Sequence, residues 1–304
     1  MKVFVTGVNG QLGHDVINEL AKREFDCVGS DITESYAGAA DGSAVTCVAY
    51  VPLDITDREN VHAVIAEVQP DVIIHCAAWT AVDAAEEEAN QPKVQAINVQ
   101  GTKYIAEAAK AADAKMVYIS TDYVFNGQGT SAWQPDCKDY APLNVYGQTK
   151  LDGELAVSSI LEKYFIVRIA WVFGLNGKNF IKTMLHVGKT HDEVRVVNDQ
   201  IGTPTYTLDL ARLLVDMIET EKYGYYHATN EGGYISWYDF TKEIFRQAGY
   251  ATKVTPVTTA EYGVSKAARP FNSRLDKSKL TENGFTPLPD WKDALTRYLE
   301  EVEC

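Results

Sequence analysis

The stretch Lys2-Val3-Phe4-Val5-Thr6-Gly7-Val8-Asn9-Gly10-Gln11-Leu12-Gly13 decides the fold of this 304-residue chain. Its first five residues predict a short apolar strand, and three glycines with the spacing G-x-x-G-x-x-G follow. An amphipathic helix is predicted from about His14 to Lys22. A glycine-rich turn between a strand and a helix lets backbone N–H groups approach a pyrophosphate. Three glycines could also form only a tight turn, so the role of this turn has to be inferred from the rest of the chain.

Composition excludes several classes of function. Hydrophobic residues at 46% and charged residues at 23% are typical of a globular protein. No apolar run approaches the roughly 20 residues that span a bilayer, and the N-terminus lacks the pattern of a signal peptide. The net charge of −14 disfavours nucleic acid or an anionic membrane as a partner. Any anionic ligand must therefore be held by local donors.

The cysteines indicate a reducing compartment. Their number is odd, they are widely scattered, and no Cys-x-x-Cys occurs. This pattern favours reduced thiols in the cytoplasm and argues against a disulfide framework or a zinc site. The residues concerned are Cys27, Cys47, Cys76, Cys137 and Cys304.

Strands and helices alternate through the first 170 residues. Further strands are predicted at about 27–30, 48–53, 71–76, 116–120 and 165–169, and helices at about 58–68, 93–112 and 146–162. This alternation predicts an α/β protein with a Rossmann-type, doubly wound parallel sheet.

Several side chains stand at the predicted carboxyl ends of these strands, where open α/β sheets bind ligands. Asp31 ends the second strand and is placed to accept hydrogen bonds from an adenosine ribose, which favours NADH over NADPH. The alternative for Asp31 is a turn or cap residue. Thr121 and Asp122 end the fifth strand. His75 ends the fourth, and we interpret it as a core histidine rather than a catalyst.

A candidate proton-transfer pair lies in Tyr146-Gly147-Gln148-Thr149-Lys150. On a helix, Tyr146 and Lys150 share a face. A free phenol has a pKa of about 10, and a nearby cation is expected to lower it towards neutral pH. The alternative is an exposed Tyr and Lys on an ordinary helix.

Beyond Trp171 the alternation breaks, which predicts a smaller, loop-rich substrate-binding part. We predict a nucleotide-binding domain at 1–170 and this second part at 171–304, with a soft boundary and a shared core. Strands are expected near 194–197 and 224–228, and the interval 198–205 is expected to be a loop. Helices are expected near 180–187, 207–219, 236–248 and 289–302, with Ser236 capping one of them.

Taken together, the glycine turn and the Tyr146–Lys150 pair resemble the extended short-chain dehydrogenase/reductase superfamily. Finer motifs resemble the dTDP-4-dehydrorhamnose reductase family within it, and this resemblance runs from Met1 to about Leu299. These motifs are Ser120-Thr121-Asp122-Tyr123-Val124-Phe125, Pro142-Leu143-Asn144-Val145-Tyr146-Gly147, Ala170-Trp171-Val172-Phe173-Gly174, Asn198-Asp199-Gln200-x-Gly202-x-Pro204-Thr205 and Arg269-Pro270-x-Asn272-Ser273. Gln148 and Trp79 depart from the family, where lysine and histidine are frequent.

The resemblance implies a role for each matching residue. Thr121, Tyr146 and Lys150 would be catalytic, with Tyr146 as the proton donor and Lys150 on the nicotinamide ribose. Thr121, Asp122, Tyr146 and Trp171 would contact the sugar. Besides Tyr146 and Lys150, the residues implied to bind NADH or NADPH are Gly7, Gly10, Gln11, Leu12, Gly13, Asp31, Asp54, Ile55, Ala77, Ala78 and Trp79.

The implied reaction reduces the C4 ketone of dTDP-4-dehydro-L-rhamnose to dTDP-L-rhamnose. Alternatives are a nucleotide-sugar epimerase, a reductase of another 4-keto sugar, or a non-catalytic NADP-binding regulatory subunit. Candidates for the substrate diphosphate are Lys178, Lys182, Lys189 and Arg269.

Family members pair through Mg²⁺ held by acids on two helices, which leaves a homodimer open here. Asp15 is near the first of these positions. Leu208 stands where the second acid is expected, with Asp209 beside it. We therefore predict no metal site, while Mg²⁺ at a dimer interface remains the alternative.

Overall fold

The computed structural model describes residues 1–40, 42–263 and 265–302. Its strands, in chain order, are β1 (Lys2–Thr6), β2 (Asp26–Asp31), β3 (Ala49–Pro52), β4 (Val72–His75), β5 (Lys115–Thr121), β6 (Tyr164–Ile169), β7 (Val172–Phe173), β8 (Glu193–Val197), β9 (Ile201–Gly202), β10 (Thr205–Tyr206), β11 (Gly224–His227), β12 (Ile235–Ser236) and β13 (Lys253–Val257).

Helices alternate with these strands and cover both faces of the main sheet. The α-helices are α1 (Gln11–Lys22), α2 (Arg58–Val68), α3 (Val82–Ala85), α4 (Gln91–Gln95), α5 (Thr102–Ala111), α6 (Val145–Ile160), α7 (Phe180–Thr190), α8 (Thr207–Ile218), α9 (Trp237–Gln247), α10 (Thr259–Tyr262), α11 (Ser278–Glu282) and α12 (Trp291–Val302). A π-helix (Ala96–Gly101) joins α4 to α5, and 3₁₀ turns lie at Ala44–Thr46 and Asp122–Val124.

The main sheet has seven parallel strands in the order β11-β6-β5-β4-β1-β2-β3. The strand order reverses beside β1, where Val5 pairs with Gly29 of β2 on one side and with Ile74 of β4 on the other. Such a reversal opens a crevice at the carboxyl ends of the strands. The predicted Rossmann-type fold is therefore confirmed.

Alternate residues of each strand enter opposite core layers. Val3 and Val5 pack with α1 and α8, whereas Phe4 between them packs with α2, α5 and α6. All three side chains are fully buried. Burying a side chain of this size stabilises the fold by about 1.5–3 kcal/mol. The near-continuous apolar runs thus follow from a sheet that is covered on both faces.

The C-terminal half builds a third core layer around α7, α9 and α12. Its centre is aromatic, with Phe173, Tyr206, Phe240 and Tyr298 all buried. Short strand pairs frame it: β7 with β10, β9 with β12, and β8 with β13. Two elements after residue 170, α8 and β11, nevertheless belong to the layers of the main sheet. The division at residue 170 itself stays a prediction.

Most predicted elements agree with the structure to within a few residues. α2 has the predicted bounds, and Ser236 caps α9 through a reciprocal pair with Asp239. Two expectations were wrong in part. The long helix near 93–112 is interrupted by the π-helix, and the predicted loop 198–205 contains β9 and β10. Strands of two residues are too short to show a period of two.

No helix in the described ranges is long and apolar enough to cross a membrane. The four cysteines within those ranges, Cys27, Cys47, Cys76 and Cys137, are free thiols. Cys304, the fifth cysteine of the sequence, lies outside the described residues.

Candidate active site

A cleft of about 810 Å³ opens at the carboxyl ends of the main-sheet strands. It brings together nearly all the residues predicted from the sequence. The predicted residues that line it are Gly7, Gly10, Gln11, Leu12, Gly13, Asp31, Asp54, Ile55, Ala77, Ala78, Thr121, Asp122, Tyr146, Lys150 and Trp171.

Trp79 is the exception, because it lies beside the cleft and not in its lining. Its backbone N–H donates to the Asn98 side chain at 2.8 Å, and its indole N–H donates to the Ala81 carbonyl oxygen at 3.1 Å. Its predicted contact with a cofactor stays a prediction.

The glycine turn is packed closely against the backbone of its neighbours, and it leads into a helix whose first N–H groups are uncapped. Gly7 has a φ of +75°, and a Cβ there would lie 2.6 Å from the Ala77 nitrogen. A Cβ on Gly13 would lie 2.3 Å from the Gly7 carbonyl oxygen. Helix α1 starts at Gln11, and its N-cap Gly10 provides no side-chain cap. The first N–H groups of the helix can therefore bind an anion such as a pyrophosphate.

The two acids predicted at the adenosine end also support the backbone. Asp31 accepts hydrogen bonds from the N–H groups of Asn9 at 3.0 Å and Ile32 at 2.8 Å. Asp54 accepts from the N–H and hydroxyl of Thr56 at 2.9 and 2.7 Å. Both acids thus contact the backbone of neighbouring residues, which is the alternative role that the sequence left open for Asp31, and both line the cleft. Carboxylate oxygens can accept more than one hydrogen bond, so the two roles are compatible.

Tyr146 and Lys150 lie on the first turns of α6, as predicted. Asn144 caps this helix by accepting from Gly147 N–H at 2.7 Å. The half-buried ring of Tyr146 meets the Tyr123 ring edge-on, with centroids 5.6 Å apart. Lys150 is only 3% exposed, although its side chain ends in an ammonium group. Both side chains line the cleft, so the alternative of an ordinary exposed pair is excluded.

Burial controls the ionisation of this pair. It raises the pKa of Tyr146 above its usual value; Asp122 raises it further and a hydrogen bond with Thr121 opposes the rise. Burial also lowers the pKa of Lys150 to about 7, against the raising effects of Glu154 and Cys76. The expectation that a nearby cation lowers the pKa of Tyr146 was wrong, because desolvation raises that pKa.

Thr121 and Asp122 lie beside Tyr146, at the end of β5. The Thr121 hydroxyl donates to Asp122 Oδ1 at 3.1 Å and accepts from the Tyr123 N–H at 3.2 Å. Asp122 is 2% exposed, and burial raises its pKa to about 6, against hydrogen bonds from Ser273 and Thr121. A hydroxyl and a carboxylate thus stand beside the Tyr146 phenol, where they can orient a polar substrate.

Trp171 forms one wall of the cleft in an unusual backbone conformation. Its φ of 51° lies in the left-handed region, which costs energy for a bulky residue. Its ring stacks on the Trp237 ring, with centroids 3.7 Å apart and an interplanar angle of 17°. A Cβ on Gly202 would lie 3.0 Å from the Trp171 ring. Trp237 and Gly202 thus both lie close against the indole.

Trp237 also lines the cleft, and the sequence analysis missed it. Its signal was the Ser236 cap, which places Trp237 at the first position of a helix. Nothing in that pattern connects α9 with Trp171, because the contact joins residues far apart in the chain.

His75 is a core histidine, as interpreted. It is 1% exposed, with Nδ1 2.8 Å from the Thr6 hydroxyl and Nε2 3.2 Å from the Thr102 hydroxyl. Burial, with a contribution from Lys150, lowers its pKa to about 3. It is therefore uncharged at neutral pH.

The four cationic residues suggested for a diphosphate lie in different environments in the structure. Arg269 pairs with Asp83 at 2.6 Å, and Lys182 donates to the carbonyl oxygens of Leu175 and Gly177. Lys178 lines the cleft, whereas the other three do not. A further cation in the lining, Lys93, was missed by the sequence analysis.

The acids considered for a metal already have protein partners. Asp15 accepts from the Thr207 hydroxyl, and Asp209 binds Asn230 and Arg297 at 2.8 Å each. Within the described residues no group of three or more His, Cys, Asp or Glu side chains could hold a metal ion. These contacts test neither Mg²⁺ binding nor dimer formation. The absence of a metal site and the possible homodimer therefore remain predictions.

Comparison with known proteins gives a consistent result. A family model described as the RmlD substrate binding domain matches residues 1–304. The spore coat polysaccharide biosynthesis protein SpsK of Bacillus subtilis (strain 168) is 36% identical, over 99% of this chain and 97% of that protein. A dTDP-4-dehydrorhamnose reductase of Aggregatibacter actinomycetemcomitans is 37% identical, over 97% of each chain.

A solved structure extends the similarity to three dimensions. The crystal structure of dTDP-4-dehydrorhamnose reductase from Bacillus anthracis, in complex with NADP, has a TM-score of 0.88 and 40% sequence identity. The match covers 99% of each chain. The chain therefore belongs to the dTDP-4-dehydrorhamnose reductase family, the family of the RmlD substrate binding domain.

Proposed function

We propose that the protein reduces the C4 ketone of dTDP-4-dehydro-L-rhamnose to dTDP-L-rhamnose, the last step of dTDP-rhamnose synthesis, with NADH or NADPH as reductant. The observation that carries this proposal is the single cleft in which the glycine turn meets Thr121, Tyr146 and Lys150. A relative that is 37% identical over 97% of each chain bears the name of this reductase.

A nicotinamide cofactor, when bound, supplies the hydride for the reduction. The residues present fit it, since the uncapped start of α1 offers N–H groups to a pyrophosphate and close packing at Gly7 and Gly13 holds the turn before it in place. Asp31 and Asp54 would take the adenosine end, and Ala77 and Ala78 would lie along the cofactor. We favour NADH, because the Asp31 carboxylate would repel a ribose phosphate.

Tyr146 acts as the proton donor at the substrate carbonyl oxygen. Its raised pKa means that the phenol holds its proton at neutral pH, which is the form that a general acid needs. Charge that develops on the carbonyl oxygen would be met by the proton of the Tyr146 hydroxyl. The Thr121 hydroxyl, within hydrogen-bonding reach of Tyr146, would orient the same oxygen.

Lys150 would bind the nicotinamide ribose and provide positive charge near Tyr146. Because its pKa is lowered to about 7, its charge depends on what else enters the cleft. An anionic or hydroxyl-bearing ligand beside it favours the charged form. Asp122 and the Trp171 ring would hold the sugar, one by hydrogen bonds and the other by packing.

Two other functions share parts of this site. A nucleotide-sugar epimerase uses a similar Tyr–Lys pair but returns the hydride to its substrate. A regulatory subunit would bind the cofactor without turnover. The convergence of Thr121, Tyr146 and Lys150 favours catalysis over regulation.

The experiment that tests the proposal mixes the purified protein with dTDP-4-dehydro-L-rhamnose and NADH, with NADPH in parallel. We expect loss of the reduced-nicotinamide absorbance in proportion to the sugar added, and dTDP-L-rhamnose as the product by NMR. An isomer of the added sugar nucleotide, formed without net cofactor oxidation, would indicate an epimerase. Cofactor binding without turnover on any 4-keto sugar would indicate the regulatory subunit.

A further inference from the structure

The loop 174–179, between β7 and α7, packs directly on the glycine turn. The N–H of Gly174 donates to the Gln11 side-chain oxygen at 2.8 Å, and the Asn179 amide donates to the same oxygen at 3.0 Å. The Asn176 amide donates to the Asn9 carbonyl oxygen at 2.8 Å. A segment of the predicted substrate-binding part is thus attached to the turn that is suited to a pyrophosphate.

Asn176 joins three segments at this point. Its side chain is 5% exposed. Its amide nitrogen also lies 3.3 Å from the Gly10 carbonyl oxygen and 3.5 Å from the Tyr36 hydroxyl. Its amide oxygen accepts from the Ala39 N–H at 3.0 Å. The Asn176 side chain therefore links the glycine turn, the segment after β2 and the loop 174–179.

These bonds have a direct electrostatic consequence for an anion. Carbonyl oxygens repel a phosphate, whereas N–H groups attract it. The Asn176 amide donates to the carbonyl oxygens of Asn9 and Gly10 and so compensates their negative partial charges. The uncapped N–H groups at the start of α1 remain for the ligand. Asn176 is thus placed to keep the turn in its anion-binding form.

Lys178 adds a charge to the cleft that the glycine turn also lines. Three lysines line the cleft: Lys93, Lys150 and Lys178. Lys93 lies over the Trp79 ring and Lys150 over the Tyr118 ring. In the described part of the chain Lys178 has no ion-pair partner, although the protein carries a net charge of −14. Its neighbour Gly177 lies close to Gln11, since a Cβ added there would be 3.7 Å from Gln11 Cγ.

We propose that the loop 174–179 forms the second wall of a diphosphate site, in which Asn176 is a positioning residue for the glycine turn and Lys178 binds the diphosphate of the nicotinamide cofactor. The inference rests on the proposed placement of the cofactor at the glycine turn. The sequence left Lys178 as a candidate for the substrate diphosphate. The attachment of the loop 174–179 to the glycine turn favours the cofactor instead.

The charge of Lys178 is tested by Lys178→Gln, with Lys110→Gln as the control. Lys110 is an exposed lysine at the end of α5, outside the cleft, so it matches the change in net charge. Affinities for NADH and for dTDP, the probe for the substrate diphosphate, are measured by calorimetry at two salt concentrations. We expect Lys178→Gln to weaken NADH about five- to tenfold, to reduce the salt dependence of binding, and to leave dTDP unchanged.

The positioning role is tested by Asn176→Asp, which keeps the shape of the side chain and removes its donor. We expect NADH to bind at least about tenfold more weakly, because an acceptor would then face two carbonyl oxygens. Asn60→Asp, at an exposed position on α2, is the charge-matched control and should bind NADH normally. If Asn176→Asp fails to fold, Asn176→Ser removes most of the same hydrogen bonds without adding charge and should weaken NADH in the same direction.

Two results would overturn the inference. In the first, Lys178→Gln weakens dTDP and not NADH, which would assign the lysine to the substrate diphosphate. In the second, a folded Asn176 variant binds NADH as tightly as the unmodified protein. Neither measurement uses turnover of a sugar, so a protein that reduces a different 4-keto sugar would still give the expected result.

Discussion

The Lys150 ammonium nitrogen lies 4.1 Å from the centre of the Tyr118 ring, and the Tyr118 hydroxyl donates a hydrogen bond to the Lys150 carbonyl oxygen at 3.2 Å. One residue of β5 therefore supports both the backbone and the charge of the predicted catalytic lysine. The negative face of an aromatic ring attracts a cation, which partly offsets the burial that lowers the pKa of Lys150.

The burial of Lys150 predicts a pH dependence of cofactor binding. Lys150 has a pKa of about 7, so it is charged below that pH and neutral above it. The ionisable groups around it stay largely unchanged above neutral pH: His75 has a pKa of about 3, Asp122 of about 6 and Cys76 of about 12. We therefore expect the Kd for NADH to rise as the pH increases through about 7, because an anionic ligand loses an attractive charge.

Two substitutions of Tyr118 distinguish the effect of its ring from that of its hydroxyl. Tyr118→Leu should move this rise in Kd to lower pH by about one unit or less, because the charged form of Lys150 loses the ring. Tyr118→Phe keeps the ring and should leave the pH dependence near that of the unmodified protein. Binding titrations of NADH across the pH range check both variants. Identical profiles for the Leu and Phe variants would contradict a role for the ring.

The proposed proton donor gives the second prediction. Tyr146→Phe should lower kcat by about 10²–10⁴-fold, since a general acid is lost, while NADH still binds. Tyr123→Phe is the matched control, because Tyr123 lines the same cleft and packs against Tyr146. Steady-state rates with dTDP-4-dehydro-L-rhamnose provide the measurement. Turnover of the Tyr146 variant within threefold of the unmodified enzyme would rule out Tyr146 as the donor.

The stacked indoles give the third prediction. Trp237→Ala should raise the KM for the sugar nucleotide several-fold, because Trp171 loses the ring that supports it and an aromatic pair contributes about 0.5–1.5 kcal/mol. The Kd for NADH should not change. Trp237→Phe keeps an aromatic surface and should recover most of the loss. A variant that weakens NADH and sugar equally would show a general disturbance of the cleft and no specific support of Trp171.

The buried ion pair between Glu154 and Arg168 gives the fourth prediction. Both side chains are fully buried, and two hydrogen bonds of 2.8 and 2.7 Å join them. Glu154→Gln leaves the Arg168 charge uncompensated, so the free energy of unfolding should fall by about 3–5 kcal/mol. The exposed pair Lys163–Asp113 is the control, and Lys163→Gln should have little effect. Denaturant unfolding measures both, and equal effects would contradict the role of burial.

The sequence predicted the parts of this protein that depend on local pattern. Strands β1 and β4 were recognisable because burial on both faces requires an unbroken apolar run. Tyr146 and Lys150 were recognisable because helical spacing places them on one face. The glycine turn carries its spacing within seven residues, and the structure confirms each of these features.

Other features depend on contacts between distant residues and left no local signal. Asn176 meets Asn9 across 167 positions of sequence, and Trp237 meets Trp171 only after α9 has packed. The ionisation of Tyr146 was predicted in the wrong direction for the same reason. Spacing shows that a cation is near, but it does not show how much water the fold removes around the phenol.

Cofactor preference gives the fifth prediction. Asp31 lines the cleft and accepts hydrogen bonds from Asn9 and Ile32, so its carboxylate is held in one position at the end of β2. A fixed carboxylate repels the ribose phosphate of NADPH and accepts hydrogen bonds from the ribose hydroxyls of NADH. Asp31→Ser should therefore tighten NADPH binding and weaken NADH binding, and the ratio of their Kd values should shift towards NADPH by about tenfold.

The control variant is Glu34→Gln, which removes an exposed acid from the segment after β2 and separates this effect from net charge. Calorimetric titration of both cofactors supplies the ratio. An Asp31 variant that weakens the binding of both cofactors equally would mean that the carboxylate only holds the backbone of Asn9 in place. Cofactor preference would then depend on other residues.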